Sequence, residues 1–563
     1  MSVSLPSEGA RLKLRRFQTG LDFWTVVSLA AVGLFLALLV YPLLRLAVPS
    51  LASGADDTSF VSVYASLFTD PYYRASLLNS VILSISTTAL ALALGTTMAY
   101  LVSRYDLRGK LLIRAAIVLT FVSPPFIGAY SWVLLLGNNG VVTSGLRNIG
   151  IHIPSIYGWT GLVLVLTLQG FPFVFLLVSA GLKSIDQSVE DAAINLGTTP
   201  LRVIFKVILP LIVPSLSTGG LLVFVTAFTD FSTPSIIGQN INVFPRVVYS
   251  EFVNEMSGNY RLASALSVVM LLVTVGALLF QRRYAAGHSY GQETVRPLAT
   301  RRASARFRLT AEAFVYGVVG FACLPLVVVV TTSFLKTNKS RIIWEFTLEG
   351  YRRAPRLWES LMNTIILTTI ATLLCVAVGS MIGYVVSRRR GTLATSIDLF
   401  SMMPYAVSGV VLGIAFSLAF NGWPFFLAGT SLILILAYLI RRLPYSIRAT
   451  TGALAQLGPQ TEEAAINLGV PPGRTFLKIT VPIIAPAIMS GAMLSWAAIV
   501  REFNATVILY GPNTGTMSVE LFKQVLSGNF GNASVIGSLL IAISLIPIVI
   551  LLVFLGKDEE YLA

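Results

Sequence analysis

Charge is scarce in this chain. Only 12% of its 563 residues are Asp, Glu, Lys or Arg, against roughly 25% in soluble domains, while 55% are apolar and the mean hydropathy is +0.79. That balance excludes a soluble multidomain enzyme. Cysteine is scarcer still: Cys323 and Cys375 both sit in long apolar runs, FACLPLVVVV and TLLCVAVG, where a thiol serves as a small buried hydrophobe rather than a disulfide partner or a metal ligand. The two histidines, His152 in a short loop and His288 in a basic linker, are too few for a His/Cys metal centre. Any metal the chain handles passes through weakly held or arrives on another protein. There is no G-x-x-x-x-G-K-[ST] phosphate loop; the pairs Gly109-Lys110 and Gly556-Lys557 lack that context. No triad, paired-carboxylate or metal-ligand spacing appears at a membrane face either, which disfavours a membrane enzyme.

What the chain has in quantity is long apolar runs. A crossing needs about 20 apolar residues, and such runs fall at about 23–47, 76–102, 115–136, 159–182, 211–229 and 262–281, then 312–334, 361–387, 397–420, 429–447, 483–505 and 533–555. Within a bilayer the backbone must satisfy itself, and continuous runs rather than period-two alternation indicate helices. The prediction is an all-α polytopic membrane protein with about twelve transmembrane helices in two sets of six. Placing the N-terminus inside puts 27 of the 40 basic residues in inner segments, so both termini are predicted to be cytoplasmic. RLKLRR (11–16) precedes a first run too long, and too poor in a small-residue cleavage site, for a signal peptide. The net charge of +15 follows from this topology and from anionic lipid headgroups, without nucleic acid.

The polar, turn-rich stretch 282–308 separates the two sets, giving repeats over 1–281 and 309–563. LLNSVILSISTTALALALGTTMAYLVSR from Leu77 matches LMNTIILTTIATLLCVAVGSMIGYVVSR from Leu361 at an offset of 284, pairing Asn79 with Asn363, Gly95 with Gly379, Tyr100 with Tyr384 and Arg104 with Arg388. An even number of crossings per unit makes these parallel repeats, related by an axis along the membrane normal. The two asparagines are read as helix caps or interhelical hydrogen bonds.

A second pair lies in loops predicted to be cytoplasmic: EDAAINLGTTPLRVIFKVILPLIVPS (190–215) and EEAAINLGVPPGRTFLKITVPIIAPA (462–487), at an offset of 272. Asp191 to Leu196 and Glu463 to Leu468 read as one short helix each, with an acidic first turn suited to the helix dipole. Gly197 and Gly469 end the helix in a left-handed turn, and Pro200 or Pro471/Pro472 begin the next segment. The paired alanines let another protein's surface approach closely. A plain connector between crossings is the alternative, but two copies at equivalent places are hard to explain by topology alone.

At these residues the chain resembles the permease subunits of type I ATP-binding-cassette importers, whose fold is MetI-like. Their Glu-Ala-Ala signature appears as Asp191-Ala192-Ala193, Gly197, Val207, Leu209-Pro210 and again as Glu463-Ala464-Ala465, Gly469, Ile479, Val481-Pro482, with Asp for Glu in the first copy. The resemblance implies that each segment is a coupling helix seated in a groove of a cytoplasmic ATPase subunit, two copies per permease. It implies a chain with no catalytic residue or cofactor of its own, ATP and Mg belonging to the partner. It also implies an extracytoplasmic binding protein docking on the loops 49–74, 230–259, 335–358 and 506–531.

Among fused double permeases, DFSTPSIIGQNINVFPRVVYSEF (230–252) and REFNATVILYGPNTGTMSVELF (501–522) look most like the ferric-iron branch, with 2-aminoethylphosphonate permeases next and the thiamine, polyamine and sulfate branches further off. Charges at membrane depth are costly and point to function, which makes Asp230, Arg501 and Glu502 candidates for the translocation pathway. Pairing with each other or with water at the headgroup level is the alternative. A secondary transporter is the rival class, but its coupling carboxylates or histidines are missing from the helix interiors.

Overall fold

The computed structural model describes residues 22–51, 60–254, 260–286, 300–338, 341–354 and 356–555. The basic segment 11–16, the middle of the linker (287–299, with His288) and the pair Gly556-Lys557 lie outside them.

Seven helices are long and apolar enough to cross a membrane singly: Phe23–Leu51, Pro71–Arg104, Trp159–Lys183, Tyr260–Tyr284, Ala305–Ser333, Leu357–Arg388 and Phe530–Pro547. Four bent pairs bring the number to as many as eleven among the described residues. The remaining predicted crossing, 429–447, falls in the helix Ser431–Gln456, where Arg441, Arg442 and Arg448 make the run less apolar than the others. Two predicted straight crossings are in fact broken. The run 115–136 divides into Lys110–Val122 and Pro125–Leu136, and the chain bends by 100° between Lys110–Phe121 and Phe126–Asn148. The cause is Pro124-Pro125: a residue before proline is pushed out of the helical region, and Ser123 and Pro124 are both extended, with ψ of 138° and 130°. The run 397–420 breaks likewise between Thr392–Tyr405 and Gly409–Phe420, beside Pro404. The all-α expectation also misses two small antiparallel hairpins, Leu335–Asn338 with Arg341–Phe346 and Asn421–Gly422 with Phe425–Phe426.

The chain divides into two compact units that cut across the sequence repeats. The first comprises 1–41, 369–405 and 438–496. Within it Trp24 stacks on Tyr384 at 4.1 Å, Phe476 closes the cluster edge-on at 5.2 Å from Tyr384, and Arg448 pairs with Asp398 at 2.5 Å. The second unit comprises 42–368, 406–437 and 497–563. Its core is packed from Met98, Ile117, Phe171, Val174, Phe175 and Val223, all buried.

Glycines at equivalent positions of the two repeats allow helices to cross closely in each unit. A Cβ on Gly95 would lie 2.6 Å from the Cβ of Val174, and one on Gly379 would lie 2.6 Å from the Cβ of Ser446. Both glycines were paired by the repeat, and both let a second crossing pack against a fourth. Asn79 and Asn363, read as caps or interhelical bonds, instead lie inside helices and donate to loop carbonyls: Asn79 to Asn242 at 3.0 Å, Asn363 to Asn513 at 3.0 Å and Gly515 at 3.1 Å.

Candidate functional site

The two Asp/Glu-Ala-Ala segments fold alike. The first helix is Gln187–Asn195 and the second Gln460–Asn467, each beginning a few residues before the predicted start. In the first, the Asp186 side chain accepts from the Ser188 amide at 2.8 Å and caps the N-terminus. The ends are the same in both. Gly197 has φ +81° and Gly469 φ +85°, as the left-handed turn requires. Thr198 donates to the Ala193 carbonyl at 3.1 Å and Gly197 to Ile194 at 2.8 Å; Val470 donates to Ala465 at 3.1 Å and Gly469 to Ile466 at 2.9 Å. This is the paired closure of a Schellman turn. Nothing lies within 4 Å of a Cβ placed on either glycine, so the glycines serve the backbone conformation and leave open space around the turn.

The same positions are exposed in the two copies. Asp191, Ala192, Ile194, Asn195 and Leu196 are exposed in one, and Glu463, Ala464, Ile466, Asn467 and Leu468 in the other. Leu196 is 87% exposed and Leu468 85%. The paired alanines divide their duties: Ala192 and Ala464 face out, whereas Ala465 is buried and Ala193 half-buried. Asp191 accepts from Gln187 one turn earlier at 2.8 Å. After each turn the chain runs through a five-residue π turn, Ile204–Ile208 or Phe476–Thr480, and then through Pro210 or Pro482. A proline supplies no amide to the carbonyl four residues back, and the wider turn just before it accommodates that loss. The chain then bends by 67° or 80° into Val213–Thr229 or Ala485–Val500.

Immediately before each motif stands a carboxylate that the sequence reading passed over. Glu462 is buried and accepts from Arg388 Nε at 3.2 Å, Tyr384 Oη at 3.0 Å and Thr480 Oγ1 at 3.3 Å. Arg388 also donates to the carbonyls of Leu454 at 3.1 Å and Leu457 at 2.8 Å. Its equivalent Glu190 is buried as well, paired with Arg104 and with Arg301, the latter at 2.5 Å. A charge taken out of water persists only when paired and hydrogen-bonded. Each short helix is thus pinned to the last turn of a long one, Pro71–Arg104 or Leu357–Arg388. The available signal was the repeat itself, since Glu190 with Glu462 and Arg104 with Arg388 occupy matching positions.

Asp230 and Glu502 sit at equivalent places just beyond Val213–Thr229 and Ala485–Val500. Both are buried, and each carboxylate is engaged by the chain a few residues on. Asp230 accepts from the Ser232 hydroxyl at 2.7 Å and from the amides of Ser232 and Thr233 at 3.0 and 3.4 Å; Glu502 accepts from the Ala505 amide at 3.3 Å. Arg501 donates to the Phe121 carbonyl, and its guanidinium lies 5.3 Å from the centre of the Phe121 ring, at the C-terminal end of a broken helix where a cation is favoured. Their aromatic neighbours were not foreseen. Phe231 and Phe503, equivalent at the same offset of 272, are both buried and stack at 6.0 Å with planes 19° apart. Phe126, Phe522 and Tyr249 surround them at 4.5 to 5.5 Å.

Residues 91–287 and 375–557 each match the family described as "Binding-protein-dependent transport system inner membrane component". A putative ferric transport system permease protein of Haemophilus influenzae is 27% identical over 504 residues, covering 88% of this chain and 79% of the relative. A ferric transport system permease protein of Actinobacillus pleuropneumoniae is 26% identical over 543 residues, covering 94% and 78%. A putative 2-aminoethylphosphonate transport system permease of Salmonella paratyphi A is 28% identical over 288 residues, covering 50% of this chain and 96% of the relative.

Proposed function

The chain belongs to the binding-protein-dependent transport system inner membrane components, and from that premise we propose that it is the pathway for ferric iron in an ATP-driven importer. It is a multi-pass permease of the inner membrane and not an enzyme; ATP is hydrolysed by separate subunits, and a substrate-binding protein delivers the cargo. Two ATPase copies dock on it, one at each coupling segment, through Asp191, Ala192, Ala193 and Gly197 and through Glu463, Ala464, Ala465 and Gly469. ATP and Mg are held by those partners, and both termini of the chain are cytoplasmic.

The observation that carries this reading is the doubled exposed face. Leu196 and Leu468 stand almost wholly open on short helices pinned at their bases by buried carboxylates. A closed left-handed turn holding a bare leucine outward is costly to leave in water, and a groove on a partner supplies its cover. Pinning makes the segment a lever: a push on the exposed face reaches a long helix directly. The iron assignment is supported by relatives that match across most of both chains, whereas the phosphonate relative matches half of this one.

The stacked Phe231 and Phe503 support a pathway closed where the two repeats meet, with Asp230 and Glu502 held at its margin and Arg501 bracing a broken helix beside it. The test is uptake in proteoliposomes holding this chain, its ATPase and its loaded binding protein. ATP-dependent entry of radioactive ferric iron is expected; entry of 2-aminoethylphosphonate with no entry of iron would overturn the substrate assignment.

A further inference from the structure

We infer that Arg301, in the stretch joining the two sequence repeats, is a positioning residue that locks the first coupling segment and makes it mechanically unlike the second. The inference rests on the coupling reading above and adds to it an asymmetry between segments whose exposed positions are the same.

The two buried carboxylates have the same task but different donors. A carboxylate offers about four acceptor sites, and among the described residues Glu462 accepts from its own repeat: Arg388, Tyr384 and Thr480. The position 272 residues before Thr480 is Ile208, buried and without a hydroxyl. Glu190 therefore lacks that donor, and Arg301 reaches it from outside the repeat, at 2.5 Å. Arg301 is 32% exposed, whereas Arg104 and Glu190 are almost completely buried. The inner pair is thereby neutral, while the added cation keeps contact with water, which spares it most of the desolvation cost.

Its backbone is fixed as firmly as its side chain. The Arg301 amide donates to the Arg104 carbonyl at 2.7 Å, the Asp106 amide donates to the Arg301 carbonyl at 3.3 Å, and Arg301 forms a parallel bridge with Tyr105. Three residues on, Ser304 caps the helix Ala305–Ser333. That helix holds the same corner again, Glu312 accepting from the Arg108 amide at 3.0 Å and Tyr316 donating to the Arg108 carbonyl at 2.7 Å. Movement of the first coupling segment is thus passed to two long helices, Pro71–Arg104 directly and Ala305–Ser333 through Arg301. The second is held to Leu357–Arg388 through Glu462, and its link to another long helix, Phe23–Leu51, is made by ring contacts of Trp24 with Tyr384 and Phe476 rather than through the buried carboxylate. The stretch between the repeats is a working part of the first lever and not only a tether.

The test is hydrogen exchange of the assembled complex, read on this chain's own amides and so independent of whether the segments dock on the ATPase. Arg301→Ala should speed exchange at 187–197 by about tenfold, as expected on removing a charged hydrogen bond that holds a local structure shut, and leave 460–469 unchanged. Arg301→Lys should show a smaller effect, and Ile208→Thr combined with Arg301→Ala should recover part of the protection by restoring the hydroxyl the second repeat has. Cargo moved per ATP should fall in Arg301→Ala and recover in the same double variant. Unchanged exchange at 187–197, equal acceleration in both segments, or no recovery in the double variant would each overturn the inference. Should Arg301→Ala fail to assemble, Arg301→Lys against the parent chain carries the same comparison.

Discussion

An unpaired buried charge is costly, which gives Arg388 its weight. Its guanidinium satisfies Glu462 and two carbonyls, those of Leu454 and Leu457. Arg388→Ala should destabilise the protein by about 3–5 kcal/mol, the usual result of stripping one partner from a buried pair, while Glu462→Gln, which keeps the shape and loses the charge, should cost less. Chemical unfolding in detergent followed by tryptophan fluorescence measures both; equal midpoints for Arg388→Ala and the parent would show that the pair carries no stability. Gly469→Val works differently. Open space surrounds the site, so its cost is the roughly 1–2 kcal/mol of forcing a side chain into left-handed backbone, spent on opening the turn. Transport should fall while membrane insertion and expression persist, and transport at the parent rate would make the turn a mere connector. The glycines and alanines were legible because the motif is local and occurs twice. Glu190 and Glu462 were not, because their principal partners lie 86 and 74 residues away in sequence, and no local pattern says that a glutamate beside a motif turns inward.

Helices were legible wherever apolar runs were long, and breaks were legible only in retrospect from proline. Pro124-Pro125 and Pro404 interrupt runs whose composition alone reads as continuous, since hydropathy reports burial in lipid and is blind to a missing amide. The ring contact of Phe231 with Phe503 belongs to this scale as well. Neither phenylalanine is unusual in an apolar sequence, and the offset of 272 that pairs them does not say that their rings meet. With this stack proposed as the closure of the pathway, vesicles holding Phe231→Ala or Phe503→Ala should leak small cations without ATP, and the double variant more than either single one. Loss of a buried phenylalanine removes contacts of about 3–5 kcal/mol, so Leu at the same positions should leak less than Ala. Vesicles as tight as those with the parent chain would place the barrier elsewhere.

For the whole molecule, duplication is the governing fact: two Asp/Glu-Ala-Ala segments each preceded by a buried glutamate, Gly95 and Gly379 at equivalent close crossings, and the pair Phe231 and Phe503, related by offsets that run through the sequence. Compactness does not follow that duplication, since each of the two compact units draws on both repeats. Orientation is a separate matter, carried by the 27 of 40 basic residues assigned to inner segments. A cysteine replacing Thr198 should be shielded from membrane-impermeant maleimide in intact cells, and one replacing Glu345 on the exposed hairpin should be labelled; the reverse pattern would invert the topology.

The two segments are proposed as the places where an ATPase pushes. A photoreactive amino acid placed at Leu196 or at Leu468, in the complex assembled with its ATPase, tests this directly. Illumination should join the chain to an ATPase subunit from either position, with both positions together capturing two copies. Cross-linking only to lipid, or to this chain itself, from both positions would show that neither segment is where the ATPase docks.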